Sequence, residues 1–220
     1  MNYKEQFIEF LVRSEVLQFG DFTAKSGRKT PYFLNLGNIK RGRDYGELGR
    51  YYAKAYLEHV RDEEVILYGP AYKGIPLSVA TSIALSEEGL DLPVCFNRKE
   101  AKDHGEGGNL IGQQPKEGDS VVIIEDVMTA GTAIRETLAI LEPLKVKIKA
   151  IILAVDRMEQ GTGEKSAVQE VSDNLGIPVY PIITVKDILA YLPGKEIEGK
   201  VIMDQQMKEK VEAYLQEYGV

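Results

Sequence analysis

One cysteine stands in the whole chain, Cys95. No intrachain disulfide or cysteine-cluster metal site can therefore form, which fits a reducing cytoplasm as the expected location. Histidine is nearly as scarce. His59 falls among charges at the end of a helical stretch and reads as plain surface. His104 has no second histidine or cysteine at metal-ligand spacing, which argues against a zinc site. No apolar run approaches the ~20 residues that span a bilayer. The opening MNYKEQFIEFLVRSE mixes acids with bases and has no apolar signal core, so neither a membrane partner nor export is expected. Positive charge is also short: 27 Lys and Arg against 34 Asp and Glu give a net charge of −7. Such a chain makes a poor general binder of nucleic acid. If it binds a polyanionic small molecule, the cations must be gathered locally, and the place where they gather is informative.

At 220 residues, 44% apolar and 28% charged, the chain suits one α/β domain able to bury a full core. Asn2 is placed to cap a first helix with Phe7, Ile8, Leu11 and Val12 on its apolar stripe, fading near Gly20. Phe22 to Asn35 then reads as an extended arm or hairpin, with Lys25, Arg28 and Lys29 around Gly27. By composition alone it reads rather as a solvated basic turn. Asp44 is expected to cap a helix through Leu57, with Leu48, Tyr51, Tyr52 and Ala55 facing inward.

From Val65 onward strand and helix alternate. Apolar strands are predicted at Val65–Tyr68, Pro93–Phe96, Val121–Ile124, Ala150–Val155 and Val179–Ile183. Helices are predicted at Ile75–Leu85, Ala133–Leu141, Glu164–Leu175 (closed by Gly176 and Pro178) and about Gln205 to Tyr218. The pattern implies a doubly wound, mainly parallel five-stranded α/β sheet flanked by helices, with right-handed crossovers. No repeat, low-complexity tract or linker interrupts it. A single domain over 1–220 is expected, with an N-terminal arm or hood over about 1–40 and a core over about 41–220.

The chemistry concentrates in Ser120 to Glu136, SVVIIEDVMTAGTAIRE. Val121 to Ile124 is a β-branched run suited to a strand buried on both faces. Two carboxylates follow, Glu125 and Asp126, then the small residues Thr129-Ala130-Gly131-Thr132, then a helical pattern with Ile134, Leu138 and Leu141 on one side. Unpaired N–H groups and the dipole at a helix start favour a phosphate. Small side chains let it approach the backbone, and Gly131 can take dihedrals closed to other residues. Carboxylates at the strand's carboxyl end can accept hydrogen bonds from vicinal sugar hydroxyls. Consecutive strand residues point to opposite faces, so the two acids can share one sugar only where the chain leaves the sheet. The whole reads as a cradle for ribose 5-phosphate.

Three further loops follow strand ends, where ligands of such sheets bind. The first is Gly69-Pro70-Ala71-Tyr72-Lys73-Gly74-Ile75-Pro76, whose N–H groups and Lys73 could hold one end of a diphosphate. Alone, it equally describes a tight turn with a surface lysine. The second, Asn97 to Asn109, carries Arg98, Lys99, Lys102 and His104 on a glycine-rich stretch. It reads as a basic lid over a polyphosphate or as a solvated loop, since Glu100, Asp103 and Glu106 nearly cancel its bases. The third starts Asp156-Arg157-Met158-Glu159. There Arg157 either pairs in bidentate fashion with a substrate carboxylate or is tied down by a neighbouring acid. Gly161 to Ser166 hints at a P-loop but carries Glu164 where the glycine before the lysine belongs.

Taken together, IIEDVMTAGTAIRE, GPAYKGIP, KSGRKTPYFLN, FNRKEAKDHGEGGN and DRMEQG resemble the orotate branch of the type I phosphoribosyltransferases, over nearly the whole chain. The resemblance implies the type I phosphoribosyltransferase fold and transfer of the phosphoribosyl group of phosphoribosyl diphosphate (PRPP) to orotate, with Mg²⁺ as cofactor. It implies PRPP contacts from Lys25, Tyr72, Lys73, Arg98, Lys99, Lys102 and His104. The segment Glu125, Asp126, Val127, Met128, Thr129, Ala130, Gly131, Thr132 and Ala133 would hold the ribose 5-phosphate. Orotate would lie near Phe33 and Leu34, with Thr129 and Arg157 reaching its polar groups. Lys102, His104 and Asp126 would carry catalysis, and Mg²⁺ would be held mainly by PRPP rather than by direct protein ligands. Members are homodimers whose lid serves the partner's site. Glu125 replaces a common Asp, Leu34 a common aromatic, and Met128 a β-branched residue; none of these removes a charge or a donor. A transferase for another base and a non-catalytic PRPP-sensing regulator are the rival readings, and the acidic net charge argues against the second.

Overall fold

Asn2 opens the chain with a capping box. Its side chain accepts the Glu5 N–H at 2.9 Å, and Glu5 reaches back to the Asn2 N–H at 3.0 Å. In the computed structural model, which describes residues 1–24, 27–99, 109–128, 131–161 and 163–220, this cap starts α1 (Tyr3–Arg13). The helix buries Phe7, Ile8, Phe10 and Leu11. It stops at Arg13 rather than near Gly20, because Glu15 takes a positive φ and the chain enters β1 (Leu17–Thr23). β1 pairs antiparallel with β2 (Lys29–Leu34), so the basic arm is a hairpin. The helix α2 (Gly42–His59) buries Leu48, Tyr51, Tyr52 and Ala55 as patterned. Asp44 does not cap it: the cap position is Arg41, without a side-chain bond, and Asp44 lies in the first turn, where its charge still suits the helix dipole.

The alternating part follows as β3 (Val65–Gly69), α3 (Gly74–Glu87), β4 (Val94–Asn97), β5 (Leu110–Gly112), β6 (Ser120–Val127), α4 (Thr132–Leu141), β7 (Lys147–Asp156), α5 (Ala167–Leu175), β8 (Val179–Thr184) and α6 (Val185–Tyr191). A two-residue-stranded hairpin, β9 (Glu196–Ile197) and β10 (Lys200–Val201), leads to α7 (Gln205–Tyr218). α5 starts three residues later than Glu164 because Ser166 and Gln169 form its capping box.

The strand order is β5-β4-β3-β6-β7-β8. The five expected strands run parallel, and β5 adds a short antiparallel edge against β4. In chain order the parallel strands lie 2-1-3-4-5, so the winding reverses between β3 and β6, and a crevice opens there at the carboxyl ends. Along β6 the side chains alternate between two cores. Val122 and Ile124 join the cluster of α1, α2, α3 and α6, whereas Val121 and Ile123 join that of α4 and α5. Tyr32 and Leu34 of the hairpin and Tyr214 of α7 belong to the first cluster. The N-terminal hood thus shares its core with the sheet. Among the described residues no helix is long and apolar enough to cross a membrane.

Candidate active site

The carboxyl ends of β3 and β6 face each other across the crevice, and the loop after β3 is pressed onto β6. A Cβ on Gly74 would lie 2.5 Å from Pro70 Cδ and 2.9 Å from the Ile124 carbonyl oxygen, so only glycine lets the backbone approach this closely. The Ala71 N–H donates to Asn97 Oδ1 at 2.9 Å, fastening the loop to the end of β4. Its outcome is an ion pair across the crevice: Lys73 Nζ lies 2.8 Å from Asp126 Oδ2, with the carboxylate largely buried and the lysine half-exposed. Tyr72 is exposed, and Lys99 Nζ sits 5.2 Å from the centre of its ring.

β6 runs past both acids to Val127, so they are still in the sheet rather than beyond it, and both are buried. Each folds forward along the chain: Glu125 Oε1 accepts the Asp126 N–H at 2.9 Å, and Asp126 Oδ1 accepts the Val127 N–H at 2.7 Å. Burial, then the charge of Asp126, pushes the Glu125 carboxyl up to about 8, against the pull of Lys73. The stability owed to neutral Glu125 is therefore complete below its unfolded value near 4.5 and is lost as pH rises toward about 8. From the α2 side, the Tyr52 hydroxyl donates to the Glu125 carbonyl oxygen at 2.7 Å. Tyr52→Phe should cost about 1–2 kcal/mol of stability by removing that donor from a dry site, read as a lower denaturant midpoint with an unchanged m-value. Past Met128, Gly131 takes φ +67 at the start of α4, the left-handed geometry for which glycine was singled out.

Arg157, after β7, is held by an acid. Its Nε and Nη2 donate to Glu159 Oε1 at 2.9 and 2.7 Å, and its guanidinium lies 4.7 Å from the centre of the Tyr32 ring. Residues Phe33 and Leu34 point opposite ways from β2: Phe33 is exposed and stacks on Phe22, whereas Leu34 is buried in the core. Any contact of Leu34 with a ligand in the crevice would run through its main chain.

Residues 35–180 match the family model described as a phosphoribosyl transferase domain. The chain is 50% identical to an orotate phosphoribosyltransferase of Clostridium acetobutylicum over 220 residues, covering 99% of this chain and 98% of that one. It is 49% identical to that of Shigella dysenteriae, over 99% of both chains. The crystal structure of the Francisella tularensis orotate phosphoribosyltransferase superposes with a TM-score of 0.85 at 36% identity, covering 98% of this chain and all of that one. The chain belongs to the orotate phosphoribosyltransferase family.

Of the residues the family resemblance singles out, the structure joins Lys73 to Asp126 and sets Lys99 over Tyr72, with Glu125 next to Asp126 and Gly131 at the start of α4. Arg98 donates its N–H to the Asn109 carbonyl at 2.7 Å, and Asn97 pairs with Leu110, so Arg98 and Asn109 sit side by side at the sheet edge. Lys25, Lys102, His104, Thr129 and Ala130 lie outside the described residues. Asn97 and Tyr52 were missed by sequence reasoning as contributors to the site. Tyr52 showed only as one position of an inward stripe, and Asn97 only as the first residue of the second loop. The P-loop-like stretch is unrelated: Lys165 pairs with Asp173 at the surface. Among the described residues no three His, Cys, Asp or Glu side chains gather as a metal site.

Proposed function

We propose that this crevice joins orotate to the anomeric carbon of PRPP, releasing diphosphate and giving orotidine 5′-monophosphate, the reaction of the family to which the chain belongs. The observation that carries the reading is the Lys73–Asp126 pair, which places a cation and a carboxylate 2.8 Å apart at the reversal point of the sheet, beside the glycine-led start of α4. The 5-phosphate sits on the segment Val127 to Ala133, where the unpaired N–H groups of α4 begin. Asp126 and Glu125 take the ribose hydroxyls, and the charge of Asp126 favours the positive charge that builds on the sugar. Lys73 and Tyr72 take the diphosphate, joined by Lys25 and by Arg98, Lys99, Lys102 and His104. Phe33, the Leu34 main chain, Thr129 and Arg157 take orotate.

Diphosphate leaves as negative charge accumulates on it, so Lys102 and His104 stabilise the departing group electrostatically, and the lid excludes water. Orotate becomes a competent nucleophile once its ring nitrogen is deprotonated, and no covalent enzyme intermediate is needed; positioning does the rest. The cofactor is Mg²⁺, held mainly by PRPP rather than by direct protein ligands; bound, it would neutralise charge on the diphosphate.

The working unit is one domain acting in the cytoplasm as a homodimer whose lid serves the partner's site. In support of the dimer, α3 carries apolar residues on its outer side as well, leaving Val79 and Ile83 exposed beside Tyr45 of α2. Ile83→Asp should shift sedimentation toward the monomer and lower specific activity in parallel, since a shared lid is lost with the partner. The assay for the reaction is the fall in orotate's near-ultraviolet absorbance on adding PRPP and magnesium. No fall overturns the reading, and an equal rate with uracil in place of orotate overturns the choice of base.

A further inference from the structure

Glu159 is held on every side. Besides the two bonds from Arg157, its Oε1 accepts the Tyr32 hydroxyl at 2.6 Å, and its Oε2 faces Arg28 Nη1 at 3.7 Å. Arg28 in turn lies over the Tyr218 ring at 4.4 Å, and the Tyr32 and Tyr214 rings meet edge to face. The backbone is fixed too: Glu159 bridges to Gly219, and the Gln160 N–H donates to the Tyr218 carbonyl at 2.8 Å. Three separate parts of the chain, the β2 hairpin, the loop after β7 and the end of α7, therefore converge on Glu159.

A guanidinium has five N–H donors in a rigid fork. Glu159 takes the Nε–Nη2 edge, Thr30 Oγ1 is 3.5 Å from Nη2, and Nη1 has no hydrogen-bond partner among the described residues. Glu159 and the two guanidinium groups it pairs with, those of Arg28 and Arg157, sum to +1. A site of this kind is matched by one carboxylate, and a guanidinium already fixed on one edge loses little freedom when the other is used.

We propose that Glu159 is a positioning residue for substrate recognition: it locks Arg157 over Tyr32 by one edge of the guanidinium, so that Nη1 meets the carboxylate of orotate. This rests on the assignment of Arg157 to orotate, and the experiment separates the two. Steady-state kinetics are compared for Glu159→Ala, Arg157→Ala and the double variant. Glu159→Ala is expected to raise the KM for orotate about tenfold or more, to leave the KM for PRPP within about twofold, and to recover most of the loss as Glu159→Gln, which keeps an acceptor at the same place. In the Arg157→Ala background the further change at 159 should have no effect on the KM for orotate. Glu159→Met, similar in size and unable to accept, replaces the alanine variant should a cavity prevent folding. An unchanged KM for orotate in Arg157→Ala overturns the assignment of Arg157. A raised KM there with none in Glu159→Ala, equal rises for orotate and PRPP, or additive effects in the double variant overturn the positioning role alone.

Discussion

Asp126→Asn should lower kcat by roughly 10²–10³-fold, the loss typical of one electrostatic group aimed at transition-state charge, while the variant stays folded. The amide keeps the shape, but only its one oxygen can accept, so it retains one of the two donors, Lys73 Nζ and the Val127 N–H, that now bond separate carboxylate oxygens at 2.8 and 2.7 Å. What also disappears is the negative charge assigned to the ribose. The same change has a second readout. Asp126 is, after burial, the largest influence raising the Glu125 carboxyl, so its loss lets Glu125 ionise at lower pH. The decline in stability as pH rises from about 4.5 toward about 8 should therefore be shallower in Asp126→Asn than in the parent, measured by denaturant midpoints across that range. A variant with parental kcat would remove Asp126 from the chemistry, and a parallel pH dependence would show that the two acids do not sense each other.

Lys102→Ala is expected to depress kcat by a similar 10²–10³-fold, with the KM for PRPP little changed. The cation is assigned to charge that exists on the leaving diphosphate only as the bond breaks, so its removal spares the ground state. A raised KM at parental kcat would instead make Lys102 a binding group. Mixing Lys102→Ala with Asp126→Asn subunits tests the shared lid. One of the two sites in each hybrid dimer would pair an intact lid with an intact crevice, so activity returns on mixing; if each subunit uses its own lid, none does.

The five parallel strands were legible because strands buried on both faces must be apolar throughout, as Val121 to Ile124 and Ala150 to Val155 are. The elements that sequence reasoning missed are short. β5 offers only Leu110, Ile111 and Gly112, and α6, seven residues long, gives periodicity too little length to register. Its capping box of Thr184 and Asp187 was the available signal. Asp44 misled because an acid in a first turn and an acid at a cap look alike in a sequence. The site's motif residues were readable from local spacing, yet the pair that defines the crevice joins Lys73 to Asp126 across 53 positions, which no local pattern encodes. For Arg157 the sequence offered a substrate carboxylate and a neighbouring acid as alternative partners. The Glu159 pair supplies the second, and Nη1, without a hydrogen bond among the described residues, leaves room for the first.

The last residues of the chain are strapped to the loop that carries Arg157: Val220 donates its N–H to the Met158 carbonyl at 3.0 Å, and Gly219 bridges to Glu159. An affinity tag fused after Val220, or a trimmed end, would pull on the same few bonds that hold the loop of Arg157. Purification handles for this enzyme therefore belong at the other terminus.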